Sequence, residues 1–298
     1  MIEIGNQYKY DDVQDNSGFR KRARLHQSLF RANHLKLHPG EYGNYLTERD
    51  SSMGKNFYDG FGIFDMVKKN RKLGKDLCSN MLRSEHIPLN LFIPFYSNKN
   101  FLQKVLNDFF DGTLTSVDTI KIEYSPKPVT NYLNDATAFD VFIEYTSVHG
   151  NKGAIGNEVK YTERCYKLKK DSKEAGFVKD KNSTYYTVSR ASGLYKDHAF
   201  DLLPDDCYRQ IWRNHILGES MIQSGKHNLQ KFTSVMIFPE GNVYQNEKCE
   251  EYMKLLDSNN MNFIPVTYEV FFDACRKHLP DIEYGKWLDY MTKRYIVS

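Results

Sequence analysis

The chain has 298 residues, 40% of them hydrophobic, 27% charged and 14% aromatic, with 21 Tyr and 19 Phe. That composition supplies a sizeable core and excludes a disordered chain. A formal net charge of +3 excludes attraction to nucleic acid through bulk charge, so any such surface has to be a local cluster.

Residues 1–60 are polar and weakly periodic and read as an N-terminal extension, with a helix around Phe19–Leu35. Arg20, Lys21, Arg22, Arg24 and Arg31 crowd that helix. They form either a solvated face or a backbone-contacting patch. Residues 61–298 read as the main domain. An apolar stripe of Phe64, Val67, Leu73, Leu77, Met81 and Leu82 predicts a helix running to His86, ended by Pro88, and Phe101–Phe110 predicts a second.

Three strands follow. Ser116–Tyr124 alternates as a half-buried strand does, Phe139–Tyr145 is β-branched and aromatic, and Ala154–Tyr161 is a third. The polar, glycine-containing connection between the last two predicts an antiparallel hairpin. Residues 166–200 are charged and read as loop, with Lys167, Lys169, Lys170 and Lys173 clustered. Asp205–Gln223 predicts a helix capped by Asp205 or Asp206. Thr233–Phe238 and Phe263–Tyr268 predict buried strands, and Val270–His278 and Ile282–Tyr295 two last helices. Glu240-Gly241-Asn242 reads as a turn. Alternating helices and strands predict a layered α/β fold.

The five cysteines, Cys78, Cys165, Cys207, Cys249 and Cys275, are scattered and form no CxxC pair. This points to a reducing compartment, against a disulfide framework or zinc ribbon. With no apolar leader and no run long enough to span a bilayer, a cytoplasmic protein without membrane partners is expected. HExxH, GxxxxGK[ST] and GxSxG do not occur, and Gly150, Gly153 and Gly156 do not make the dinucleotide fingerprint. No nucleotide cofactor is expected.

Asp140 and the segment Glu158-Val159-Lys160 carry the chemistry. Glu158 and Lys160, two apart on a strand, project from one face. If the two strands pair, Asp140 comes alongside Glu158. Converging carboxylates raise each other's pKa unless a cation neutralises them. Mg²⁺ suits such a pair because it takes hard oxygens and keeps several waters. It would lower the pKa of a bound water and offset charge on a phosphate. Lys160 would orient or deprotonate the attacking water. The bland alternative is a same-face Glu–Lys ion pair on a half-exposed strand, an ordinary feature.

Asp140…Glu158-Val159-Lys160 resembles the D…(D/E)xK signature of the PD-(D/E)XK nuclease superfamily. FDVFIEY, IGNEVKYTE, CYRQIWRNHIL and MIFPEGN, in that order, and SNMLRSEHIPLNLF before them, over roughly residues 72–245, are similar to restriction-endonuclease-like bacterial proteins. The resemblance implies a three-layer α/β/α core around a central mixed sheet. It implies Mg²⁺, with Mn²⁺ as substitute, held by Asp140, Glu158 and the Val159 carbonyl, with Lys160 catalytic.

A further acid is expected from a helix before the sheet, Glu85 first and Glu48 second. Phe139 stands where the superfamily often has Pro, which leaves Asp135 as a competitor for the role of Asp140. Gln210 would hold the water or Lys160, and Arg213 would contact a phosphate. Glu163 and His149 are weaker site candidates, and Trp212 is expected in the core. The function implied is hydrolysis of DNA phosphodiesters, as an endonuclease in restriction or phage defence. Arg20, Arg22, Arg24 and Lys169 would grip the DNA backbone, and cutting both strands favours a homodimer. The alternative is a nuclease fold that binds nucleic acid without cutting it.

Overall fold

The computed structural model describes residue 4 and residues 18–259 and 262–297. The rest of the expected N-terminal extension, residues 1–3 and 5–17, lies outside them. The chain order is α1 (Phe19–Leu29), α2 (Glu48–Ser52), α3 (Ile63–Asn70), α4 (Lys75–Ser79), α5 (Ile87–Phe92), α6 (Lys99–Asn107), β1 (Leu114–Tyr124), β2 (Phe139–Ser147) and β3 (Lys152–Val159). Then come α7 (Lys173–Lys179), α8 (Thr184–Ser192), α9 (Ala199–Leu202), α10 (Asp206–Gln223), β4 (Lys231–Phe238), α11 (Val243–Leu255), β5 (Phe263–Thr267), α12 (Tyr268–Lys277) and α13 (Ile282–Tyr295).

The five strands form one sheet in chain order. β1, β2 and β3 are antiparallel neighbours, whereas β4 and β5 join in parallel, so the sheet is mixed. β2 and β3 are apolar and aromatic on both faces because helices cover both, as in a three-layer α/β/α core. On one face Val141, Ile143, Ile155 and Val159 pack with Phe92, Phe271, Trp287 and Tyr295. On the other Phe139, Phe142, Phe232 and Met236 pack with Tyr185, Trp212, Ile216 and Tyr252.

The helix expected from Phe64 to His86 is broken. α3 ends at Asn70, α4 begins after Gly74, and Ser84–His86 is a single 3-10 turn. Gly74 and Asn80, both extended, interrupt the helical backbone, and apolar spacing alone did not report that. The charged stretch 166–200 holds α7 and α8, capped by Ser172 and preceded by Ser183. α11 begins where only a turn was expected, because Asn242 accepts from the Gln245 N–H as its cap.

The boundary expected at residue 60 does not coincide with a break in the core. Phe19, Ala23, Phe30 and Leu46 share one apolar cluster with Val159 and Tyr295. Gln27 Nε2 donates to Tyr161 Oη at 2.9 Å and to the Arg294 carbonyl at 2.6 Å. α10 lies close on the sheet because Gly218 faces the Phe232 ring, where a Cβ would clash. Among the described residues no helix is long and apolar enough to cross a membrane.

Candidate active site

β2 starts and β3 ends at one edge of the fold, so the hairpin brings Asp140 and Glu158 together. Val141 pairs with Asn157, and the Val159 N–H, two residues beyond the paired stretch, donates to Asp140 Oδ2 at 2.7 Å. In an antiparallel pair a residue's N–H and carbonyl leave on the same edge. The Val159 carbonyl therefore leaves toward Asp140.

Lys160 follows β3, anchored by its N–H to the Ile237 carbonyl at 2.8 Å and by its own carbonyl to Tyr268 Oη at 2.6 Å. Its Nζ donates to Glu158 Oε1 at 2.6 Å and to Gln210 Oε1 at 2.8 Å. Gln210 Nε2 returns a hydrogen bond to Glu158 Oε1 at 2.5 Å. Asn214, one helical turn on, donates to Glu158 Oε2. Glu158 and Lys160 are 7% and 4% exposed and Asn214 is buried, while Gln210 is half-buried at the rim of the group. A buried, hydrogen-bonded ion pair is the arrangement in which removing one partner costs most.

Burial, and then the Glu158 carboxylate, push the Asp140 carboxyl well above the usual range, against the opposing pull of Lys160 and the Val159 N–H. Burial would lower the Lys160 ammonium, but Glu158 and Asp140 outweigh it and hold its pKa above the ordinary value. The two carboxylates thus favour the ammonium form of Lys160, a donor.

The donor set fits a divalent cation. Asp140, Glu158 and the Val159 carbonyl are hard oxygens, and the crowding that raises Asp140 is what a cation would relieve. Among the described residues no group of three His, Cys, Asp or Glu side chains is arranged around a metal position. A cation here would keep several waters, as Mg²⁺ does, rather than sit in an all-protein cage.

The other expected site residues fall differently. Glu85 reaches the same end of the sheet but pairs with Arg83 at 2.9 Å and Arg71 at 3.8 Å. The carboxylate opposite Asp140 is Glu123: Ile122 faces Val141 and Tyr124 faces Phe139, so the register sets Glu123 against Asp140. The charge of Glu123 adds to the upward push on Asp140. Glu123 itself is held by Arg71 at 2.6 Å. Glu48 opens α2 on an exposed surface beside Tyr45, Leu73 and Cys78, and it enters none of the hydrogen bonds of Glu158 or Lys160. Asp135 accepts from Tyr185 Oη on α8 and from the Thr137 N–H of its own loop at 2.8 Å.

Glu163 is a strut. It accepts the N–H groups of Ser84 and Tyr161, each at 2.9 Å, and of Thr162 at 3.1 Å, fastening the turn that carries Glu85 to the segment after Lys160. His149 sits in the turn at the opposite end of the β2–β3 hairpin, beyond Ser147, where β2 ends roughly 23 Å from Asp140 at the usual strand rise. Trp212 is fully buried and donates to Ser189 Oγ at 2.8 Å, as a core residue.

Gln210 and Arg213 do not act together. Gln210 turns to Lys160, whereas Arg213 pairs with Glu174 Oε2 at 2.7 Å, and Glu174 also holds Arg209. Arg24 is buried and cannot present its charge to a polyanion, and Arg31, also buried, binds the backbone carbonyls of Gly43, Leu37 and residue 4. Arg20, Arg22 and Lys169 are exposed. The Arg22 guanidinium lies 5.8 Å over the Phe19 ring, and Phe19 meets Tyr161 edge-on at 6.3 Å, which puts the start of α1 beside the segment carrying Lys160.

Asn214 and Glu123 were not foreseen. Asn214 had a signal, four residues after Gln210 on the same helical face. Glu123 had none, since strand register is not written locally.

Compared with known families, residues 13–297 match the family model described as PD-(D/E)XK nuclease superfamily. No curated protein and no solved structure matches the chain. The match spans nearly the whole chain, and the protein belongs to the PD-(D/E)XK nuclease superfamily.

Proposed function

We propose that this superfamily member is a Mg²⁺-dependent DNA endonuclease whose active site is Asp140, Glu158 and Lys160, positioned by Gln210 and Asn214. The observation that carries the reading is the convergence of the two carboxylates and the ammonium at one end of the β2–β3 hairpin, with Lys160 bonded to both Glu158 and Gln210. Asp140, Glu158 and the Val159 carbonyl would hold Mg²⁺ or Mn²⁺, which when bound supplies a water of lowered pKa and neutralises charge on the scissile phosphate. The Lys160 ammonium donates a hydrogen bond to the attacking water or to a phosphate oxygen, where negative charge grows. Gln210 fixes where that ammonium points. Glu123 adds negative charge beside Asp140 and strengthens the site for a cation.

Arg20, Arg22 and Lys169 would contact the DNA backbone. Double-strand cutting would be served by a homodimer, and restriction or phage defence is the setting that the family resemblance suggests. The test is incubation of supercoiled, linear and single-stranded DNA, and RNA, with Mg²⁺, Mn²⁺ or EDTA. Metal-dependent cleavage of DNA with internal ends supports the reading. Cleavage confined to RNA, or release of mononucleotides from free ends only, contradicts the substrate or the mode.

One observation favours a second reading, a nucleic-acid-binding module that does not cut. Glu158 already has three protein donors and so resembles a satisfied structural carboxylate. That reading expects DNA binding without cleavage under any divalent cation, and binding unchanged in Lys160→Met.

A further inference from the structure

Five cysteines spread through the sequence gave no pairing pattern, yet the fold brings two of them to one point. Cys165, in the segment after Lys160, is in hydrogen-bond contact with Tyr244 Oη, and Cys207, in the first turn of α10, lies 3.2 Å from the same oxygen. The two thiols also feel each other, since Cys165 is among the groups that push the Cys207 thiol up. Both are partly exposed, whereas Cys78, Cys249 and Cys275 are buried. Together with Lys160 and Gln210 they line one small cavity. Cys207 and Gln210 stand three apart on α10, on one helical face.

We propose that Cys165 and Cys207 are a peroxide-sensitive dithiol that closes to a disulfide and locks the segment after Lys160 onto α10. The chemistry needs a hydroperoxide, here hydrogen peroxide. The Cys165 sulfur attacks the peroxide O–O bond, giving a sulfenic acid and one water. The Cys207 sulfur then attacks the sulfenic sulfur, the S–O bond breaks, the hydroxide leaves with the thiol proton as a second water, and the S–S bond forms. Two thiols are oxidised and one peroxide is reduced to two waters. Burial, and then Cys165, push the Cys207 thiol up to about 12, which disfavours it as the first attacker.

The segment so tied carries Tyr166, whose ring lies 5.5 Å from Lys160 Nζ. A cross-link one residue away would hold that ring over the lysine and fix the start of α10, from which Gln210 reaches Lys160. Catalysis needs these groups free to settle around a phosphate, so the oxidised chain should cut slowly. This consequence for catalysis rests on the nuclease reading, whereas the formation of the bond does not.

The full chain, purified reduced, is treated with hydrogen peroxide, and its peptides are mapped by mass spectrometry without reductant, beside Cys165→Ser, Cys207→Ser and Tyr244→Phe. The expected result is a Cys165–Cys207 cross-linked peptide in wild type, absent from both serine variants and formed faster in Tyr244→Phe, which lacks the hydroxyl shared by the sulfurs. DNA cleavage should fall on the order of a hundredfold in the oxidised wild type and return with dithiothreitol. Cys165 oxidised to sulfinic acid with no cross-link, or a cross-link to a different cysteine, overturns the dithiol. A Cys165–Cys207 bond that leaves cleavage unchanged overturns the lock. If the reduced chain cuts no DNA, the nuclease reading fails, and the peptide map still decides the dithiol.

Discussion

The Val159 N–H donates to Asp140 Oδ2 at 2.7 Å, so the carboxylate that would hold a cation also fixes the end of the neighbouring strand. Asp140 is held in a place that disfavours its charge, by burial first and by Glu158 second. The folded chain therefore binds that proton more tightly than the unfolded chain. Stability falls as pH rises from the unfolded-state carboxyl value through the raised folded one, and the cost persists above it.

Asp140→Asn keeps an oxygen for the Val159 N–H and removes the charge. Without metal the variant should melt several degrees higher than wild type at pH 8, with a smaller gain at pH 5. Its cleavage rate should fall on the order of 10²–10³-fold. Thermal melts in EDTA at the two pH values, beside a cleavage assay, check both halves.

Lys160 and Glu158 form the buried pair of the site. Lys160→Met or Glu158→Gln alone should each cost about 3–5 kcal/mol, because the remaining partner loses its counter-charge. The double variant should cost far less than the sum, a coupling that a urea-denaturation double-mutant cycle reads directly.

Asn214→Ala removes the only side-chain donor found on Glu158 Oε2 among the described residues. Loss of a hydrogen bond to a buried carboxylate should cost roughly 1–3 kcal/mol. Binding of Mn²⁺, followed by calorimetry, should weaken about 10–100-fold, as for residues that orient a ligand from behind. Unchanged stability and affinity would remove Asn214 from the site.

Arg20 and Arg22 should behave differently from Arg24. Arg20→Glu with Arg22→Glu should weaken DNA binding, and each lost phosphate contact should flatten the log–log salt slope by about 1. Arg24→Ala, at a buried position, should lower the melting temperature instead. Fluorescence anisotropy over a salt series and a thermal melt separate the two.

A second titrating network lies further along α10. Glu219 is pushed up to about 7 and His215 down to about 4, both by burial, with Asn262 bonded to each. A raised carboxyl loses stability as pH climbs from its unfolded value of about 4.3 toward 7. A lowered histidine loses stability as pH falls from about 6.5 toward 4. The two oppose each other in mildly acid solution, and only the Glu219 cost remains near neutrality. Glu219→Gln should therefore raise the melting temperature at pH 8 and leave it nearly unchanged at pH 4.5, as a pH series of melts reads.

The hairpin was legible because β2 and β3 are apolar, β-branched stretches around a glycine-containing turn, and once they pair, Asp140 and Glu158 must meet. Gln210 came into view only through the family resemblance, since α7, α8 and α9 stand between β3 and the helix that carries it. What failed was anything that depends on register or on helical facing. Glu123 stands opposite Asp140 only through the β1–β2 pairing. The arginine cluster looked like one patch, yet Arg24 and Arg31 are buried with Ala23, Gln27 and Phe30, whereas Arg20, in the first turn of α1, is exposed. The meeting of Cys165 and Cys207 joins a loop to a helix 42 residues on, which no local spacing encodes.

The most direct test of the account is the rate of supercoiled-plasmid cleavage by wild type, Asp140→Asn and Lys160→Met across a Mg²⁺ titration. The account predicts cleavage that rises with Mg²⁺ in wild type and falls on the order of 10²-fold or more in both variants while each still binds DNA. Cleavage that persists in either variant, or that does not depend on Mg²⁺, would contradict it.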